Sequence, residues 1–323
     1  MSGDRGFARY AAQRLAWAVG TAAAASVVAF VLFWAVPNVE PEWALGGREK
    51  GTNATRAAAR EKWGLDKPLP VQYVAVMRGI FDGSLQCHFA CGNLRDDFVA
   101  RLPVTAWIVA GGALLAAALA TGLALLCVRH HGRRLDRALL ALAAALQSVP
   151  SLVLSVVLWT LLAQKWEILP YDGYTGLTED PLRWAGHLAG PWIAVALPFA
   201  GAYVPIVRAA LLDAHRSDWV RTARAKGLSE RRVLRRHVLR TSLAAPVSIA
   251  GLDLAHAFGG LVLYVETIFR VPGVGDLTES ALQTLDLPAV VALSIWLVIV
   301  VVVVSALFDL LLYAIDPRTR TSD

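Results

Sequence analysis

The stretch Asp218–Arg240, "DWVRTARAKGLSERRVLRRHVLR", decides how this sequence is read. Eight of its residues are Arg or Lys, and only Asp218 and Glu230 oppose them. On either side lies a long apolar run, and the chain as a whole is 56% hydrophobic and 17% charged, with a mean hydropathy of +0.51 over 323 residues. A water-soluble domain carries about a quarter charged residues, so this composition points to an integral membrane protein. The net charge of +6 would suit a nucleic-acid partner. Its basic residues, however, are dispersed between apolar runs as topology signals are, which argues against nucleic-acid binding.

Six segments are long and apolar enough to span about 30 Å of hydrocarbon. They run approximately over 11–36, 102–128, 136–163, 188–212, 242–265 and 289–315. Backbone groups in a bilayer must be satisfied internally, so helices are expected. The fold class expected is an all-α polytopic membrane protein, a single transmembrane domain over 1–323. Small-residue stretches such as "GGALLAAALATGLAL" (111–125) suit close helix packing. Arg5, Arg9 and Arg14 precede the first run in a signal-peptide outline, but Leu15–Val36 exceeds an h-region of roughly 7–15 residues. An uncleaved first membrane helix is expected.

Lys and Arg set the orientation. With the N-terminus inside, the inner segments hold Arg5, Arg9 and Arg14; Arg129, Arg133, Arg134 and Arg137; Arg208 and Arg216 with the eight of the basic block; and Arg318 and Arg320. That is 19 of the 31 basic residues. Most of the others lie in the long 37–101 segment, which counts little in the positive-inside rule. Both termini and the 213–241 loop are therefore expected in the cytoplasm, with 37–101 and 266–288 outside. The 37–101 segment is too long for a simple connection and reads as a small extracytoplasmic cap. Trp159, Trp166, Tyr171, Trp184 and Trp192 suit a membrane–water interface.

Several chemistries are absent. There is no G-x-x-x-x-G-K-[ST], H-E-x-x-H or G-x-S-x-G. "GVGDLT" (273–278) lacks the last glycine of a dinucleotide fingerprint and follows a membrane helix instead of a strand. Cys87 and Cys91 stand as C-x-x-x-C beside His88, too few ligands for a metal site. A disulfide in an oxidising compartment and two unpaired thiols both remain open for them.

Within the basic block, Ser217 or Asp218 can cap a short helix. Gly227 permits a turn that other residues resist. Ser229 can cap a second helix through Arg240, with Leu234 and Val238 on one face. Lipid contact at the inner face accounts for Arg235, Arg236 and Arg240, but not for the small residues of "TARAKG". Those suit a short helix presented to a protein groove.

The block resembles the cytoplasmic EAA loop of importer permeases in the ATP-binding-cassette (ABC) superfamily. It is most similar to the dipeptide/oligopeptide/nickel permease family, in which "D-[YW]-V-R-T-A-R-A-K-G-L" is a signature. Arg221, Thr222 and Ala223 stand where the general Glu-Ala-Ala triplet would, and Gly227 is retained. The later Ile-x-Leu-Pro of the general pattern is replaced by His237, Val238, Leu239 and Arg240. "GLDKPLPVQY" (64–73), "RLPVTAW" (101–107), "SVPSLVLSVVLW" (148–159), "VETIFRVPGVGDL" (265–277) and "YAIDPR" (313–318) resemble family segments in family order. "FDGSLQC" (81–87) departs from the family's Gly-Asp-Phe/Leu-Gly-x-Ser.

The resemblance implies a type I ABC importer permease with six membrane helices in a bacterial cytoplasmic membrane, and short peptides as its commonest cargo. Nickel chelates, haem and glutathione are the alternatives. Its partners would be a second homologous permease, two ATPases, an extracytoplasmic solute-binding protein and membrane lipid. The chain itself would bind no cofactor or metal and catalyse nothing; ATP and Mg would be held by the ATPases. Asp218, Trp219, Val220, Arg221, Thr222, Ala223, Arg224, Ala225, Lys226, Gly227 and Leu228 would form the ATPase contact. Asp253 and His256, three apart on one helix face, and Glu266 are expected on the solute path, because ionisable residues within a membrane default to function. They could equally pair locally. "ETIFRVPGVG" resembles a re-entrant loop at the pore mouth, with Phe269, Pro272, Gly273 and Gly275 shaping it. A proton-coupled secondary transporter could use the same acids, but no inverted repeat is visible. An intramembrane enzyme would need a fuller constellation than Asp253 and His256.

Overall fold

In a computed structural model, the structure describes residues 2–32, 66–83, 93–170, 174–234, 238–242, 244–284 and 286–315, which are helical with short connections and without a strand. The chain divides into two compact units. One comprises Met1–Ala106 with Phe258–Leu310, the other Trp107–Ala257 with Leu311–Asp323. Cys87 and Cys91 lie outside the described residues.

In chain order the helices are α1 (Ser2–Phe30), α2 (Leu69–Asp82), α3 (Leu94–Arg129), α4 (Arg134–Ser148), α5 (Ser151–Leu158, continued by a π-helical turn Trp159–Lys165), α6 (Pro181–Arg216), α7 (Asp218–Ala225), α8 (Glu230–Val233), α9 (Leu239–Ser242), α10 (Ala244–His256), α11 (Val262–Phe269), α12 (Val274–Gln283) and α13 (Leu287–Ile315). A π-turn, Ala257–Leu261, joins α10 to α11. Among the described residues, four helical runs are long and apolar enough to cross a membrane: Leu94–Arg129, Pro181–Arg216, Ile249–Phe269 and Pro288–Leu310.

The structure refines three of the expected elements. The run expected as one helix over 136–163 is broken, α4 and the α5 segment meeting at 93°. Pro150 lacks an N–H and disfavours helical geometry at the residue before it, and Val149 is accordingly extended at ψ 119°. The 266–288 segment, expected as a re-entrant-like loop, carries a helix of its own. It turns after Phe269 and forms α12, with Gly275 inside that helix. The helix expected through Ser229–Arg240 is seen as Glu230–Val233 and again as Leu239–Ser242, residues 235–237 lying outside the described set.

In the first unit the core gathers Phe30, Val76, Ile80, Leu94, Phe98, Leu277, Leu293 and Trp296. Phe30 meets Tyr73 edge-on at 5.4 Å, and Phe98 meets Trp296 at 4.9 Å. Arg101 pairs with Asp276 at 2.8 Å, fastening α3 to α12.

In the second unit α4 and α6 pack backbone to backbone. A β-carbon on Gly201 would lie 2.5 Å from the Ala143 carbonyl oxygen and 2.7 Å from the Gln147 nitrogen. Ala120, Cys127, Ala143, Ala200 and Val204 fill the surroundings with small volumes. The small residues of α3 serve the same end, since a β-carbon on Gly111 would overlap the Trp192 ring and one on Gly112 would lie 2.7 Å from Val195. Trp192 donates Nε1–H to the Trp107 carbonyl at 2.9 Å and stacks edge-on with Trp184.

Gly201→Ala must push two helices apart, a cost on the order of 1–3 kcal/mol. Gly122, with no atom within 4 Å of an added β-carbon, gives the opposite sign when changed to Ala, gaining about 0.5–1 kcal/mol of helix propensity. Melting temperatures of the two purified variants against wild type check the pair.

Candidate functional site

The basic block folds as a short helix hung directly from the end of α6. Ser217 leaves helical geometry at φ −70°, ψ 148°, and its hydroxyl donates to the Ala214 carbonyl at 2.6 Å, closing α6. It occupies the cap position of α7 but makes no side-chain cap bond there. Asp218 sits in the first turn, where a carboxylate suits the helix dipole. On one face, Val220 and Ala223 are buried against Ala124, Val207, Leu211, Ala214, Val233 and Val238. On the other, Asp218, Trp219, Arg221, Thr222, Arg224, Ala225 and Lys226 are exposed.

Gly227 closes the helix in the left-handed region at φ +76°. Its N–H donates to the Arg224 carbonyl at 2.9 Å, and the Leu228 N–H donates to the Ala223 carbonyl at 3.3 Å. That is the paired bonding of a Schellman motif, completed by Leu228 packing on the same apolar cluster as Ala223. A β-carbon at Gly227 would meet no atom within 4 Å, so the glycine answers to backbone angle and not to space. Across the turn, the Arg224 guanidinium grips Glu230 at 2.7 and 3.2 Å and holds its carboxyl below the usual range.

A buried ion pair stands behind this helix in the same unit. Asp136, at the start of α4, is 2% exposed. It accepts from Arg208 Nε at 2.9 Å and Nη2 at 2.7 Å, and from the Gly132 N–H at 3.0 Å. His131 Nδ1 lies 2.9 Å from Arg208 Nη2. Two-point geometry and a third donor are what a buried carboxylate needs. The arrangement ties the "RHHGRR" loop to α6 about three turns before α7 begins. Sequence reasoning took that loop only as a topology signal; the lone acid at Asp136 among so many arginines was the clue.

The three acid or imidazole groups expected on a solute path part company. Asp253 and His256 are not paired with each other. Asp253 Oδ2 accepts the Tyr203 hydroxyl hydrogen at 2.5 Å, from α6 to α10, while His256 is exposed at the end of α10. Glu266 is wholly buried. One of its oxygens accepts from the N–H groups of Gly275 at 2.6 Å and Asp276 at 3.3 Å, at the N-terminus of α12. Its side chain presses so closely on Gly273 that a β-carbon there would overlap the carboxyl group, and one on Gly275 would lie 2.5 Å from the Leu263 Cα. The glycines of "VPGVGD" thus admit a carboxylate cap. Glu266 holds α12 and offers no exposed surface to a solute. Phe269 is buried at the end of α11, and Pro272 leads into Gly273 at the α12 cap position. No group of three or more His, Cys, Asp or Glu that could hold a metal occurs among the described residues.

Glu266→Ala removes the acceptor of two helix-end N–H groups and leaves a void, costing on the order of 1–3 kcal/mol. Glu266→Gln keeps an acceptor of the same shape and costs less. Thermal unfolding of the two variants should rank them in that order.

The comparisons with known proteins agree over nearly the whole chain. The family model described as "Binding-protein-dependent transport system inner membrane component" matches residues 112–321, and its N-terminal companion matches residues 7–110. The chain is 30% identical over 315 residues to a probable peptide ABC transporter permease protein, y4tP, of Sinorhizobium fredii, covering 96% of this chain and 99% of that one. It is 28% identical over 321 residues to a putative peptide permease protein of Brucella suis, covering 97% and 99%. It is also 28% identical over 314 residues to the probable D,D-dipeptide transport system permease protein DdpB of Escherichia coli, covering 90% and 92%. With these matches and several apolar helices of spanning length, the chain belongs to the family of binding-protein-dependent transport system inner membrane components and is a multi-pass ABC transporter permease.

Proposed function

We propose that this chain is one of two permease subunits of an ABC importer of short peptides in a bacterial cytoplasmic membrane. It crosses the membrane six times with both termini in the cytoplasm. It works with a second homologous permease, two ATPases that bind ATP and Mg, and an extracytoplasmic solute-binding protein. It has no enzymatic site of its own. The names of the curated relatives support the peptide cargo.

The observation that carries the coupling role is the two-faced helix α7. Val220 and Ala223 anchor it, and Arg221, Thr222, Ala225 and Lys226 remain exposed for a partner. A helix joined to α6 by the single extended residue Ser217 moves with α6 when pushed. The Gly227 Schellman turn and the Arg224–Glu230 pair keep α7 from unwinding under that load, and Arg208–Asp136 resists slippage between α6 and α4. ATP-driven closure of the ATPases would thereby shift the membrane helices between outward- and inward-facing states.

The test replaces Gly227 in a host strain that otherwise lacks this chain. Left-handed geometry costs a β-branched residue about 1–2 kcal/mol, a five- to thirtyfold population effect, while Asn tolerates it. Gly227→Val should reduce labelled dipeptide uptake roughly tenfold at unchanged membrane abundance, and Gly227→Asn should retain most of it. Full uptake by Gly227→Val would remove the coupling assignment. Unchanged dipeptide uptake when the whole chain is deleted would remove the peptide assignment.

A further inference from the structure

The second unit contains a cavity of about 100 Å³ between α3, α6 and α10. Its walls include Ala113, Ala117, Phe199, Val247 and Leu254, and among the described residues its polar side chains are Thr121, Tyr203 and Asp253. No Lys, Arg or His lines it among the described residues. Asp253 Oδ2 is engaged by Tyr203 at 2.5 Å, while Oδ1 makes no hydrogen bond among the described residues. Asp253 is half-buried at this wall, and a carboxylate facing a mostly apolar cavity with no cation among the described lining residues is open to a cationic partner.

We infer that Asp253, oriented by Tyr203, binds a primary ammonium group of the transported solute within this cavity. This rests on the transport reading above and deepens it by naming the chemistry recognised. Three features select an ammonium. Divalent metals want six or more oxygen ligands, or octahedral water, and this lining is almost wholly apolar. A guanidinium is gripped best by both oxygens of a carboxylate, and Oδ2 of Asp253 is already engaged by Tyr203. The volume is below the roughly 150 Å³ that encloses a benzene, so it takes one ammonium with a short apolar stem while the rest of the solute lies outside. The Tyr203 bond fixes the carboxylate against the α6 wall and leaves Oδ1 for the incoming group. The same chemistry could be presented by a peptide's N-terminus or by a lysine side chain.

Two measurements on the complete transporter decide the matter. In cells, uptake of Ala-Ala, N-acetyl-Ala-Ala and N-acetyl-Ala-Lys is compared between wild type and Asp253→Asn. The variant should raise KM for Ala-Ala roughly tenfold, the scale of a lost hydrogen bond to a charged group, and leave N-acetyl-Ala-Ala unchanged. A parallel rise for N-acetyl-Ala-Lys identifies the lysine amine as a second source of the bound group. An equal change for all three peptides, or none, overturns the inference, since a merely structural Asp253 would not discriminate among them. In the wild-type complex purified from membranes, carbodiimide coupling of Asp253 to glycine ethyl ester is followed by mass spectrometry as the fraction of Asp253 left unmodified, any propylamide formed being counted as modified and the exposed Asp218 serving as the unprotected reference. Propylammonium should protect Asp253 and propanol should not; equal protection or none overturns the inference. Wild-type cells that import no peptide would refute the peptide reading alone, and the labelling result then decides the ammonium site.

Discussion

Three acids at or within apolar helices, Asp136, Asp253 and Glu266, face the constraint on which the rest of this structure depends. Away from water a carboxylate must find donors within the protein. Each solves the problem differently. Asp136 takes the two-point grip of Arg208 and a backbone N–H from Gly132. Glu266 takes the free N–H groups at the start of α12. Asp253 takes a single phenol, from Tyr203. The first two arrangements join helices, α4 to α6 and α11 to α12. The third acid is only half-buried and borders a cavity, and that access is what sets Asp253 apart as a recognition group.

The glycines follow from the same economy of space and angle. Gly201 lets two helix backbones touch, and Gly273 and Gly275 let a carboxyl group reach a helix end. Gly227 instead supplies a left-handed turn with open space around it. These are two separate physical demands, close approach and positive φ, met by one residue type. The distinction matters most at α7. Its position is set by Val220 and Ala223 beneath it, and its length by the Schellman turn at Gly227.

Much of this was legible in the sequence. Hydropathy located the apolar runs, and the spacing of small residues and glycine in "TARAKG" anticipated a short helix ending at Gly227, because capping and turn formation depend on neighbours in the chain. Pro150 could also have been read as a break, since its effect on Val149 is local, yet the apolar length of 136–163 outweighed it. The failures concern partners distant in sequence. Asp253 and His256 share a helix face by spacing, but Tyr203, fifty residues earlier, is the nearer donor. Arg208 reads from the sequence as one more inside charge, and its pairing with Asp136, 72 residues away, is not legible there.

The sequence by itself therefore determined the all-helical membrane class, the family and the outline of the α7 helix, all of which follow from composition, hydropathy and bonds within a few residues. Only the tertiary structure decided which acids are sealed in and which stands at an opening: Glu266 is absorbed as a helix cap, Asp136 as half of an ion pair, and Asp253 is left at the wall of a cavity. Spacing along a chain says which residues share a helix face. Which donor lies opposite depends on helix packing, and that is set by contacts such as Gly201 against Ala143 that no local pattern records.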